Sequence, residues 1–453
     1  MGRLARTLGS RPANENYGAG VDDDAAQAAL IELDTRTALE EVDRAEVAIN
    51  QDLPEGEDLS EALNDTYPEV VEILENAQEA GGISVECAAL LNLLNRVHGA
   101  DGRVGVAVES FADAGSRRQA TRVAIEGIKA TMKDWWRRLK AWFAKMRTKL
   151  KTWWEKTWAA APRLKAQAQS IRDRASKTSG VAKEKNFEMV RVQQTLYVGG
   201  SFPSDMPGAL QKMNQIANGI FNTAQTDCLK SAEGIMNAIE GASFNDEAGI
   251  NAFATALGQS LPAVPGNVFN QQVSGDVPDV AKVGNGFTAK RTDEFLGGKC
   301  VYAIYQSGSI GDGAEGIKQM ADLISGSRTF VGPVSKKEAD DSAKQVPVAA
   351  ANAVQRICDE VIHLCDAIEA YKRNFTAQEK AHDHLNKAGD ALDRATNGSD
   401  DKVEGLTRVI SDVKRIVPAV HRFIDEPSTS FAREFLNVGR FALQYADKSL
   451  AQY

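Results

Sequence analysis

The chain of 453 residues is long enough for about three domains of ordinary size. Its 43% hydrophobic and 25% charged residues are those of a globular protein, which excludes wholesale disorder and a collagen-like fibre. The net charge of −9 hides an asymmetry: residues 1–109 carry 23 acidic residues against 7 lysines and arginines, and residues 110–177 carry 18 lysines and arginines against 5 acidic residues. An acidic arm joined to a strongly basic segment points to a polyanion or membrane partner and to a masking device.

Five cysteines are too few for a disulfide scaffold, so a reducing compartment is expected. No stretch approaches the roughly 18 uncharged apolar residues of a membrane span. The start, Met1-Gly2-Arg3-Leu4-Ala5-Arg6, lacks the apolar core of a signal peptide, and Arg6 stands where a myristoylation signal has Ser or Thr. Residues 1–24 read as a disordered lead. Ala25–Asn50 has helical spacing and dense Glu and Asp; Pro54, Gly56 and Pro68 break it. Glu69–Ala80 and Ser84–Val97 are further helix candidates.

From Ser116 to about Trp158 the pattern changes. Ile125, Ile128, Met132, Trp135, Leu139, Trp142, Met146, Leu150 and Trp153 recur at steps of three and four, which keeps one stripe on a helix. All six tryptophans lie here, and no proline interrupts the pattern until Pro162. The other faces carry Lys129, Lys133, Arg137, Arg138, Lys140, Lys145, Arg147, Lys149, Lys151 and Lys156. Three readings of this helix stay open. Its stripe packs on the rest of the fold; its cations neutralise DNA phosphates without reading sequence; or its Trp and Lys/Arg faces bind a membrane surface.

The middle of the chain is mixed. Phe187–Val198 reads as an extended run or a helix end, Pro207–Ala242 and Asp246–Leu257 as helices, and residues 258–297 as a long loop or short strands. Cys300–Tyr305 is the strand candidate, and a helix follows near Ala314–Ile324. Val348–Tyr371, Thr376–Ala395, Lys402–Phe423 and Ser430–Leu450 are four helices, enough for a bundle. The expected fold is mainly α: a long basic amphipathic helix, a C-terminal helical bundle and a short β element. The expected divisions are an acidic pro-region (1–109), the basic helix (110–178), a mixed region (179–345) and the bundle (346–453).

Signatures of catalysis are missing. Walker A, G-x-G-x-x-G, H-E-x-x-H, paired C-x-x-C and G-x-S-x-G do not occur, and Val283-Gly284-Asn285-Gly286 lacks a flanking strand and helix. Cys358 and Cys365, seven apart, share a helix face that His363 does not, so they read as buried core thiols. His382 and His384 read as surface residues. No catalytic residue, cofactor or metal is expected.

Small-x-Glu triplets are frequent in this Glu- and Ala-rich chain, among them those ending at Glu86, Glu109, Glu126, Glu233 and Glu240. Glu109 stands at the charge boundary, where a cut before Ser110 would change the charge of the product from −9 to +7. The run Val108-Glu109-Ser110-Phe111, Arg117-Arg118-Gln119-Ala120-Thr121-Arg122 and Ala124-Ile125-Glu126-Gly127-Ile128-Lys129, followed by the Trp/Lys helix, resembles the internal head proteins of phiKZ-like giant phages. The resemblance implies a virion protein packaged with genomic DNA beside other capsid or internal head proteins, made in the host cytoplasm, and able to be ejected into the host. It also implies a propeptide removed by a prohead protease after Glu109, with Glu86-Cys87 as the second choice. The alternative is a membrane-active phage protein that uses the Trp/Lys helix on the bacterial envelope.

Overall fold

The computed structural model describes residues 23–61, 70, 73–74, 76–78, 80–84, 114–261, 266–273, 287–306, 311–335, 342–397 and 406–453. The acidic arm contributes α1 (Asp23–Asn50) and α2 (Leu53–Glu61). The basic segment forms α3 (Ala114–Lys177). Then come β1 (Asn186–Met189), α4 (Val192–Thr195), α5 (Met206–Asn218), a π-helical turn (Gly219–Ala224), α6 (Gln225–Glu240) and α7 (Glu247–Gly258). β2 (Gln271–Gln272), β3 (Phe287–Arg291), β4 (Lys299–Gln306), α8 (Gly313–Gly326), β5 (Arg328–Pro333) and β6 (Lys344–Pro347) precede the last two helices, α9 (Ala351–Asn397) and α10 (Leu406–Leu450). The protein is mainly α with short antiparallel strands.

Helix α3 is longer than its spacing predicts. It runs 64 residues, about 96 Å at about 1.5 Å per residue. Pro162 removes one backbone donor without ending it. The reason is packing: Trp153, Thr157, Ala160, Leu164, Ala168, Ile171 and Ala175 continue the three–four rhythm past Trp158, and all are buried. The four expected C-terminal helices are two. Tyr371, Phe375, Gln378, His382 and Leu385 carry one buried face across the supposed break in α9. Val420, Ile424, Phe431 and Phe435 do the same in α10, across Pro427.

Both ends of the long helices are packed. One core joins α1, the second half of α3, α5, the π turn, the first half of α9 and the second half of α10. A second core joins α2, the first half of α3, α6, α7, α8, the second half of α9 and the first half of α10. The strands pair in the order β2-β3-β4-β5, all antiparallel, with Ala303 opposite Thr329 and Tyr302 opposite Phe330. Alternation divides β4 as a pleated strand requires: Val301 and Ala303 join the first core, while Cys300 and Tyr302 pack with Phe330 on the other face. β1 pairs antiparallel with β6, so Phe187–Val198 comprises the end of this strand and the short helix α4.

Candidate nucleic-acid interface

The tryptophan stripe of α3 faces inward. Trp135, Trp136, Trp153 and Trp154 are buried, and Trp154 lies among Trp153, Trp158, Tyr371 and Phe375 at ring-centroid distances of 4.7–6.0 Å. Trp142 and Trp158 are partly buried and donate their indole N–H groups to the carbonyls of Asp52 (2.8 Å) and Ile368 (3.1 Å). Of the three readings, packing therefore accounts for the aromatic residues. No described face of α3 presents a tryptophan cluster to lipid, and no described helix is long and apolar enough to cross a membrane.

The cations of α3 fall into sets by partner. One set forms a ladder with α9: Lys140 to Asp390 (3.0 Å), Arg147 to Asp383, Lys151 to Glu379 (3.0 Å), Lys165 to Asp366 and Arg172 to Asp359 (2.8 Å). The numbers rise on α3 as they fall on α9, mostly in matched steps of seven or four, as two antiparallel helices require. Arg137 pairs with Asp134 on its own helix. Lys133 and Arg138 are exposed and make no ion pair among the described residues. Lys129 lies on α3, with its side chain outside the described residues.

A second ladder joins α3 to the acidic arm. Arg163 pairs with Asp34 (3.3 Å), Lys156 with Glu41 (3.0 Å), and Lys145 with Asp52 (2.8 Å) and Glu55 (3.8 Å). Lys149 reaches Asp52 and the carbonyl of Ala48. Positions 34, 41, 48 and 52 rise as 163, 156, 149 and 145 fall, so the arm lies antiparallel along the helix. Further along, the Ile83 N–H donates to Thr121 Oγ1 at 2.9 Å, and Gly82, at φ +117°, sits so close to Arg117 that a Cβ would come within 2.6 Å of its backbone. The lysines hold the Asp52 and Glu41 carboxyls below their usual range, chiefly by hydrogen bonding.

Magnitudes show what fixes the arm. Exposed ion pairs contribute about 0–1 kcal/mol each. Leu39, Val42, Leu59, Val70, Leu74 and Ile83 of the arm are buried, and such side chains contribute about 1.5–3 kcal/mol each. Apolar contact holds the arm down; the charges set its register and neutralise the helix beneath it.

The far flank of α1 meets α10. Arg433 pairs with Glu46 (2.7 Å), and Arg440 stands near Asp43, whose carboxyl is pushed up by burial against the opposing pull of that arginine. A cleft of about 200 Å³ lies here, lined by Leu39, Asp43 and Glu46 of α1 and Arg433, Leu436 and Arg440 of α10. Glu434 beside it pairs with Lys299 at 2.6 Å.

The family model of phiKZ-like phage internal head proteins matches residues 44–448. The chain belongs to this family. It is a structural virion protein located inside the phage head and associated with capsid components. The match begins within α1, so the later part of the acidic arm is included. No curated protein and no solved structure matches the chain.

Within this internal head protein the small-x-Glu triplets differ in setting. Glu126 lies inside α3, and Glu233 and Glu240 lie in α6. A helix must unwind before a protease can bind it extended, so these three are poor substrates. Glu86, Cys87, Glu109 and Ser110 lie outside the described residues. No cluster of metal-binding side chains occurs among the described residues.

Cys358 and Cys365 are buried, as expected, with thiols pushed up to about 12 by desolvation. His382 is a correction: it is buried rather than on the surface. Its Nε2 faces Asp425 Oδ1 at 2.7 Å and its Nδ1 faces His421 Nδ1 at 2.8 Å. With both rings neutral, assigning the His382 proton to Nε2 lets His421 donate from Nδ1 and satisfies both contacts. His384 is partly buried and lies 3.2 Å from Glu240.

Among the interface residues Lys156 stands on the expected basic face, whereas the spacing arguments miss Arg163, Arg433 and Arg440. For Arg163 a signal existed, because 156 and 163 repeat the seven-residue step of the acids at 34 and 41. Nothing local marks the α10 pair, since only the fold brings them to α1.

Proposed function

We propose that this internal head protein is a non-enzymatic, DNA-associated component of the virion, with an acidic arm that is a propeptide. The prohead protease cuts after Glu109, or after Glu86 as the second choice. The basic helix then contacts phosphates without reading sequence, through Lys129, Lys133, Arg137, Arg138, Lys140, Lys145, Arg147, Lys149 and Lys151. The observation that supports this reading is the seating of the acidic arm along the basic helix by a register-matched ladder. Cutting at 109 removes a segment of net charge −16 and leaves a product of +7. The cut also turns an intramolecular contact into a bimolecular one, so the arm loses its effective concentration and DNA can compete for the site. Helix-bound triplets are poor substrates, which favours Glu86 and Glu109 over Glu126, Glu233 and Glu240.

Ultraviolet cross-linking of intact particles, followed by peptide mapping, tests the DNA contact. Cross-links within residues 129–165 are expected. Their absence, where another head protein of the same particles cross-links, would overturn the proposal.

A further inference from the structure

The residues facing the arm are not the same as the exposed cations of α3. Helix α1 lies between α3 and α10, and its acids point both ways. Asp34 and Glu41, with Asp52 in the turn that follows, meet α3, while Asp43 and Glu46 meet α10. At about 100° per residue, positions 41 and 46 lie about 140° apart on the helix. Between them, Ala38, Leu39 and Val42 face the core. The seat of α1 is therefore a groove with an apolar floor and two basic walls. Lys145, Lys149, Lys156 and Arg163 form one wall over 18 residues, about 27 Å of helix. Arg433 and Arg440 form the other, seven residues apart, about 10 Å.

The rest of α3 is engaged differently. Lys140, Arg147, Lys151, Lys165 and Arg172 face acids of α9, which no propeptide cleavage removes. Leaving of the arm thus changes the partners of one set of cations only.

We infer that the α3–α10 groove vacated by α1 is the principal phosphate-binding site, with carboxylates of the arm occupying positions that DNA phosphates take in the mature protein. This deepens the proposed function and rests on its DNA reading. It assigns to DNA four residues beyond the nine named above, Lys156, Arg163, Arg433 and Arg440. Of the nine cations proposed above, it keeps Lys145 and Lys149 in the groove wall and reassigns Lys140, Arg147 and Lys151, which pair with α9, to holding the fold. A duplex carries one charge per about 1.7 Å of axis, so a wall of about 27 Å can meet several phosphates at once. The arm acts as a competitive polyanion built into the chain.

The test uses the full chain. In one protein the ladder acids are neutralised and two apolar anchors of α1 are cut back so that the arm leaves its seat (Asp34→Asn, Glu41→Gln, Glu46→Gln, Asp52→Asn, Leu39→Ala, Val42→Ala). To this background is added either a groove set (Lys156→Gln, Arg163→Gln, Arg433→Gln, Arg440→Gln) or a set from the exposed end of α3 (Lys133→Gln, Arg137→Gln, Arg138→Gln). Circular dichroism confirms that each folds. Duplex DNA affinity is then measured against salt. The neutralised chain should bind at least tenfold tighter than the native chain. The groove set should lose that gain and flatten the slope of log affinity against log salt by about 3 to 4, at about 0.9 per phosphate contact. The exposed set should keep most of it. If the exposed set loses the gain and the groove set keeps it, the groove assignment is overturned while DNA binding stands. If the neutralised chain gains no salt-dependent affinity, the DNA reading fails with it.

Discussion

Replacing Trp154 by alanine tests the inward orientation of α3. The side chain is fully buried, edge-on to Trp153 at 5.0 Å, stacked with Trp158 at 5.4 Å and tilted on Tyr371 at 4.7 Å. Removing a buried aromatic of about 150–250 Å² at about 25 cal/mol per Å² corresponds to about 4–6 kcal/mol. Partial collapse of the cavity brings this to about 3–5 kcal/mol. Phenylalanine should cost less than half as much. It keeps a ring, and the Trp154 indole N–H has no hydrogen-bond partner among the described residues, so no bond is lost. Urea denaturation of the full chain, followed by far-UV circular dichroism, gives both values. A loss below about 1 kcal/mol for Trp154→Ala, together with lost binding to anionic vesicles, would refute the buried stripe and turn the helix toward lipid.

Further outcomes follow from the same geometry. A Cβ on Gly56 would lie 2.0 Å from the Trp142 ring, so Gly56→Ala should lift α2 at a cost of about 1–3 kcal/mol and red-shift tryptophan emission; an unchanged spectrum and stability contradict this contact. Lysines hold Asp52 and Glu41 below the usual carboxylate range, so their contribution is present above about pH 4 and is lost as pH falls through the lowered values. Hydrogen exchange in α1 should therefore be steady from pH 6 to 5 after correction for intrinsic rates; loosening in that window counts against the ladder. Burial, with His382 and Arg147 nearby, keeps the His421 imidazole well below its usual range. The unfolded chain takes up that proton near pH 6.5, so stability is full above about 6.5 and falls below it. His421→Phe, which retains the stack on Phe143 at 4.0 Å, should flatten the slope between pH 7 and 5, and an unchanged slope contradicts the assignment. Cys228, Cys358 and Cys365, pushed up to about 12 by burial, should resist alkylation at pH 8 until the protein unfolds; rapid labelling of any of them contradicts the burial.

Much of the architecture was legible because long helices write a clear period. The stripe from Ile125 to Trp153 and the run Cys300–Tyr305 correspond to α3 and β4. Breaks were less legible than continuity. Pro162 and Pro427 look like stops, yet packing of Leu164 and Phe431 into the first core carries both helices through. His382 and His384, two apart, point away from each other on a helix and so read as surface residues, but Asp425 and His421, some forty residues away, give His382 buried partners. The charge asymmetry foretold an arm facing a basic helix. It could not separate cations facing α1 from those facing α9, because both sets repeat at seven and four. Only the antiparallel pairing of two different helices divides Lys156 and Arg163 from Lys151 and Lys165.

The central claim is that an acidic sheath covers the basic groove during synthesis and is gone from the protein that meets the genome. The N-terminal residue of this protein in purified particles, read by mass spectrometry, tests it most directly. The account predicts Ser110, or Cys87 as the second choice, with no peptide from residues 23–61. Peptides from α1 recovered in proportion to those from α9 would contradict it.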